Sequence, residues 1–145
     1  MNWRDYERYE ETAFDHLLKK YQWHIATTPR YSLIDGVATI GGEITHVIEF
    51  KSRNESYESM KRMGTYLISY DKLINGTKIS EMLGVPFILL VYLIKDQTLL
   101  GLRVSEGGEF VIDMDVKETI TQKNINGGRV VRSNAFIGIN NFHIL

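Results

Sequence analysis

The chain has no cysteine in its 145 residues, which excludes a disulfide framework and a thiolate zinc site. Proline is almost as scarce, at two. No Pro/Gly/Ser linker, low-complexity tract or internal repeat divides the chain, so one domain over 1–145 is expected, large enough to bury a core without covalent staples. Long apolar runs are missing as well. The longest, residues 87–94, is strand-sized and far short of the roughly 20 residues that span a bilayer, so no membrane partner is expected. The opening Met-Asn-Trp-Arg-Asp-Tyr-Glu is unlike a signal peptide. The expectation is therefore a cytoplasmic location, with the sequons Asn54-Glu55-Ser56 and Asn75-Gly76-Thr77 accidental. Nor is there an excess of one sign of charge: Lys and Arg total 17 against 18 Asp and Glu, a net −1. Dedicated nucleic-acid binders carry a clear basic excess. A nucleic acid here would be engaged briefly, through a local basic lining.

What is present reads as a folded α/β chain. Residues 3–21 carry Trp3, Tyr6, Ala13, Phe14, Leu17, Leu18 and Tyr21 at helical spacing, with Asn2 as N-cap answered by Asp5. Glu10 breaks that pattern. At about 100° per residue it falls near the middle of the apolar stripe, with Glu7 and Glu11 toward its edge, and a carboxylate on a buried face is costly unless something pairs with it. Two strands are expected at 31–40 and 44–51, flanking Gly41-Gly42 as a hairpin turn. In the second, Thr45, Val47, Glu49 and Lys51 share one face and His46, Ile48 and Phe50 the other. Residues 57–84 are helical in tendency but interrupted by glycines, giving one helix over 57–68 and pieces at 70–75 and 77–83, with Gly84 before Pro86 as the stop. Residues 87–94 are apolar on both faces, as a central covered strand should be. A turn at Lys95-Asp96-Gln97 leads to a strand at 98–104. Beyond Gly107-Gly108 lie short strand-like runs at 110–112 and 130–131 and a second turn at Gly127-Gly128. The order helix, strand, strand, helix, strand, strand predicts an α/β (α+β) sandwich around a mixed β-sheet flanked by helices.

The chemistry concentrates in Ile34-Asp35-Gly36 and, thirteen residues on, Glu49-Phe50-Lys51. Glu-x-Lys in a strand sets a carboxylate and an ammonium on one face, about 6.5–7 Å apart. Asp35 joins them if the hairpin register allows. A two-residue Gly41-Gly42 loop would set Asp35 opposite Ile48. A three-residue loop including Glu43 sets Thr39 against Thr45, Val37 against Val47 and Asp35 against Glu49, and this register, which aligns like with like, is the one preferred. Two carboxylates facing one point make a hard oxygen site for Mg²⁺. A lysine beside them can stabilise developing charge and orient a water for attack on phosphorus. The competing reading of the three residues is an ion-pair cluster on an exposed sheet face.

The pattern Glu10-x-x-Ala13-x-x-x-Leu17, then Ile34-Asp35-Gly36, then Val47-Ile48-Glu49-Phe50-Lys51-Ser52-Arg53 resembles the PD-(D/E)XK nuclease superfamily. The one departure is Ile34, which stands at the name-giving proline. The resemblance implies a restriction-endonuclease-like core order, α-β-β-α-β, and a metal-dependent nuclease. Its catalytic residues would be Asp35, Glu49, Lys51 and Glu10, with Glu11 the alternative to Glu10. Its metal positions would be Asp35, Glu49 and Phe50, taking Mg²⁺ or Mn²⁺. It further implies DNA as substrate, with branched or structured DNA the form considered first and RNA left open, and small domains of this type often belong to phages or mobile elements. Arg53, Lys72, Arg129 and Arg132 are candidate phosphate contacts, although such residues are more often solvated charges. The histidines, His16, His24, His46 and His143, stand at unrelated spacings and are read as non-ligands. A homodimer with one site per strand is the simplest assembly for cutting a duplex. The alternative function is a catalytically silent nuclease-like module that binds nucleic acid or protein.

Overall fold

Every side chain from Phe87 to Leu93 is buried, and seven consecutive buried residues make a strand covered on both faces. The computed structural model of the chain describes residues 3–29, 32–123 and 129–145, with the side chains of Trp3 and of residues 121–130 outside that description. The cap expected at Asn2, the strand start at Tyr31 and the turn at Gly127-Gly128 therefore lie outside the described residues. In chain order, α1 (Trp3–Tyr21) is followed by β1 (His24–Thr27), β2 (Gly36–Ile40) and β3 (Glu43–Arg53). Next come α2 (Tyr57–Met63), β4 (Thr65–Ser69), α3 (Tyr70–Leu83) and β5 (Phe87–Leu93). The chain continues with β6 (Thr98–Glu106), β7 (Glu109–Phe110), β8 (Asp115–Lys123) and β9 (Arg129–Gly138), then a 3₁₀ turn at Ile139–Asn141 and β10 (His143–Ile144).

The main sheet runs β1-β2-β3-β5-β6-β10, with β7 beside β6, and a second sheet runs β4-β9-β8. β3 and β5 are parallel while their outer neighbours are antiparallel, which is the mixed sheet expected. The passage between the parallel pair carries α2, β4 and α3. One face of the main sheet packs Ile48, Phe50, Leu90 and Tyr92 against Ala13 and Leu17 of α1. The other packs Val47, Leu89, Val91 and Leu93 against Leu73 of α3 and Tyr66, Ile68, Ala135 and Ile137 of the second sheet. Each fully buried Leu or Phe in these layers contributes about 1.5–3 kcal/mol.

Several expectations are corrected. The hairpin turn is the two-residue one: Ile40 pairs with Glu43, and Gly41 and Gly42 take φ of +59° and +83°, a left-handed pair that suits glycine. A bulge then leaves Thr45 as the extra residue, so Val37 still meets Val47 and Gly36 meets Ile48. The bulged Thr45 hydroxyl donates to the Ala38 carbonyl at 3.2 Å. Thr39 therefore meets Ile44 and not Thr45, and only beyond the bulge is the preferred alignment reached, by a different device. The helix expected over 57–68 stops at Met63, where Gly64 turns left-handed and donates back to Met60 O, and residues 65–69 form a strand instead. The two pieces expected at 70–75 and 77–83 are one helix that runs through Gly76. A Cβ there would lie 2.3 Å from the Phe87 ring, so this glycine permits close helix–strand packing instead of breaking the helix. β2 begins at Gly36, five residues later than expected, and β1 was not anticipated. Of the short runs, 110–112 is strand only at Phe110, in the two-residue β7, while 130–131 lies inside the ten-residue β9, and the nine-residue β8 was not anticipated.

Candidate active site

β2 and β3 run as a ladder only as far as Gly36 and Ile48. Asp35 still donates its N–H to Ile48 O at 3.2 Å, while its own carbonyl turns away to accept from Thr28 N at 2.9 Å. Past this fork Phe50 has lost its β2 partner, and buried peptide groups must be satisfied somehow. Two side chains take the strand's place. The Phe50 N–H donates to Asp35 Oδ2 at 2.7 Å, and the Tyr6 hydroxyl donates to the Phe50 carbonyl at 2.7 Å. The Tyr6 ring also packs edge-on against Phe50, 5.8 Å between centroids.

On the face toward α3, Glu49 is only 1% exposed. Lys51 Nζ lies 3.6 Å and Lys72 Nζ 3.9 Å from its Oε1, ion-pair distances beyond hydrogen-bond range. Glu49 Oε1 has no hydrogen-bond partner among the described residues. Burial, then the charge of Asp35, push the Glu49 carboxyl up to about 7, against the pull of the two lysines. On the other side of Asp35, Glu10 of α1 is raised to about 6 by burial, by Asp35 and by its helix neighbours Glu7 and Glu11. Asp35 is therefore felt by carboxylates from both layers. A cavity of about 490 Å³ opens beside it, lined by Tyr6, Glu7, Glu10, Thr27 and Thr28 among others.

The structure thus brings together Asp35, Glu49, Lys51 and Lys72, with Glu10 facing Asp35 and Glu11 exposed. Arg53 reaches the same neighbourhood, its guanidinium 5.0 Å over the ring of Tyr66. Arg132 is exposed on β9 opposite Thr119, and takes no part in the interactions around Glu49. The Arg129 side chain lies outside the described residues. His46 faces away, its ring 4.6 Å from that of Trp23. Among the described residues no three His, Cys, Asp or Glu side chains group as a metal cage. Two carboxylates and the Phe50 carbonyl are the donors on offer. They suit a hard divalent cation: all are oxygens, one is buried without a partner, and the carboxylates oppose each other's ionisation.

Two residues were missed by sequence reading. Tyr6 and Tyr66 both sit at apolar positions, where a tyrosine reads as core. Burial, then Asp35, Glu10 and Glu49, raise the Tyr6 hydroxyl above its ordinary value. Tyr66 is pushed up to about 12, by burial first, with Arg53 opposing and Glu49 adding.

A mixed sheet between α1 and α3, with Asp35 at a fork and Glu49-Phe50-Lys51 on the adjoining strand, defines the PD-(D/E)XK class. The chain belongs to the family described as "Phage putative PDDEXK endonuclease", whose family model matches residues 4–135. Among solved structures it is similar to Hjc, a Holliday junction resolvase from the archaeal hyperthermophile Archaeoglobus fulgidus. The TM-score is 0.53 at 16% identity, over 91% of this chain and 82% of that one, a likeness of fold. No curated protein sequence matches the chain. No helix among the described residues is long and apolar enough to cross a membrane.

Proposed function

We propose that this chain is a Mg²⁺- or Mn²⁺-dependent DNA endonuclease that favours branched or structured DNA. The observation that carries the proposal is Glu49: a carboxylate 1% exposed, held against Asp35, with two ammonium groups near an oxygen that no hydrogen bond satisfies. Such an arrangement is costly for stability alone, and perturbed carboxyls of this kind cluster where chemistry is done.

Asp35, Glu49 and the Phe50 carbonyl would hold the cation. When bound, it supplies Lewis acidity to a phosphate oxygen and lowers the pKa of a water. The remaining work falls to the chain. Lys51, on the strand and 29% exposed, stabilises charge building on the phosphate and orients the attacking water. Lys72, on the first turn of α3 and 41% exposed, holds a neighbouring phosphate oxygen. Arg53 extends this basic wall along β3. Glu10 closes the opposite, acidic wall beside the cavity. The preference for branched DNA draws support from the fold shared with a Holliday junction resolvase. Two copies, one site per strand, would cut a duplex or a junction symmetrically.

The test incubates the protein with supercoiled plasmid, linear duplex, a synthetic four-way junction and RNA, each with Mg²⁺, Mn²⁺ or chelator. Metal-dependent cleavage of DNA, faster on the junction than on linear duplex and absent in Glu49→Gln, is the expected result. Binding to any of these without cleavage under every metal condition would make the chain a silent nuclease-like module instead.

A further inference from the structure

Two buried side-chain polar atoms among the described residues lack a hydrogen-bond partner: Glu49 Oε1, an acceptor, and the hydroxyl of Tyr66, a donor. Tyr66 is 2% exposed on β4, with its ring edge-on to Phe142 at 5.7 Å and under the Arg53 guanidinium at 5.0 Å. Those contacts need the ring alone, and phenylalanine would make them without burying an unsatisfied hydroxyl. Packing therefore leaves the hydroxyl unexplained. Its neighbourhood does not: Tyr66 lies under Arg53, which shares one face of β3 with Glu49 and Lys51, the charges of Arg53 and Glu49 both reach its hydroxyl, and the side chains of Tyr66 and Glu49 belong to the layer between the main sheet and α3.

The partners Glu49 Oε1 now has are loose ones. Lys51 and Lys72 stand 3.6 and 3.9 Å away, partly exposed on long stems. A divalent cation between the carboxylates repels both ammonium groups, and a phosphate attracts them. Either event strips Oε1 of its counter-charges while the carboxylate stays buried.

We propose that Tyr66 is a positioning residue of the site, whose hydroxyl donates to Glu49 Oε1 once the two lysines turn away, keeping the carboxylate oriented on the cation. This rests on the metal-dependent reading above and adds a residue to it. Outer partners of this kind typically govern metal affinity about 10–100-fold.

The experiment titrates Mn²⁺ into wild type and Tyr66→Phe by calorimetry, with melting of both proteins free of metal. The expected result is Mn²⁺ affinity weakened about tenfold or more in Tyr66→Phe, with the metal-free melting temperature unchanged or raised because no hydrogen bond is lost. Equal Mn²⁺ affinity in the two proteins overturns the role of Tyr66 and leaves the nuclease reading intact. A metal-free melting temperature lowered by several degrees also overturns it, since the hydroxyl would then serve the fold. Wild type that neither binds Mn²⁺ nor cleaves DNA overturns both proposals together.

Discussion

The two halves of β3 make opposite use of the same backbone. Around Val47 and Ile48 the strand has partners on both sides, β2 and β5, and both side chains are fully buried and apolar. From Glu49 onward β5 continues alongside, but β2 has left, and the peptide groups of Phe50 are answered by Asp35 and Tyr6. The first half spends its hydrogen bonds on the ladder and its side chains on the core. The second makes side chains replace a strand, and those side chains are then held at fixed positions with reactive groups exposed to one another.

The largest expected effect sharpens this contrast. Ile48→Ala, in the closed half, should lower stability by about 2–5 kcal/mol, read by denaturant unfolding, with Mn²⁺ affinity of the folded protein unchanged. Glu49→Gln, one residue on, should do the reverse. The metal-free protein stays as stable or gains, because a buried carboxylate opposed by Asp35 is neutralised, and the stabilisation by metal disappears. Comparable destabilisation by both would erase the distinction between the halves. Next comes Lys51→Ala, which should slow single-turnover cleavage by about two orders of magnitude, the scale of one preorganised electrostatic group. Metal binding should survive, and DNA affinity should change little. A wild-type cleavage rate would refute the assignment of Lys51.

The smallest effect lies back in the closed half. The His46 imidazole is held below its ordinary value by burial, then by Arg103, so the folded state favours the neutral ring. Its contribution is complete above the unfolded value near 6.5 and is lost as pH falls through that value toward the lowered folded one. Melting temperatures between pH 7 and 5 should therefore fall less steeply in His46→Gln than in wild type. Equal slopes would show that His46 is not the group responsible.

Asp35, Glu49 and Lys51 were legible because their chemistry is local: two strand residues two apart, and an acid one hairpin away. The misfit of Glu10 on its helix was legible for the same reason. The turn was not, since like-with-like pairing fixes register only across the paired stretch, and a bulge at Thr45 gives the same alignment as a longer loop. β4 was hidden because five residues between two helices, with Tyr66 and Ile68 alternating inward, look like helix when read with their flanks. β8 was missed and β9 under-read because Val116, Ile120 and Val131 are exposed, and apolar burial begins only in the later part of β9, at Ala135 and Ile137. Tyr6 and Tyr66 were invisible for a deeper reason. Whether a tyrosine's hydroxyl matters depends on what its ring is packed beside, and that is tertiary information.

Gly76 shows how a dimension of the site can be set from outside it. In most helices alanine in place of glycine would strengthen the helix by about 1 kcal/mol. Here the added methyl would run into the Phe87 ring, and α3 would have to stand off from the sheet. Lys72, one turn earlier on the same helix, would be carried with it away from Glu49. The absence of one methyl group thus acts as a spacer gauge for the gap between a lysine on a helix and a carboxylate on a strand. Selection for a more stable α3 at this position would widen that gap, so helix strength and site geometry are bound in opposition at a residue outside the site itself.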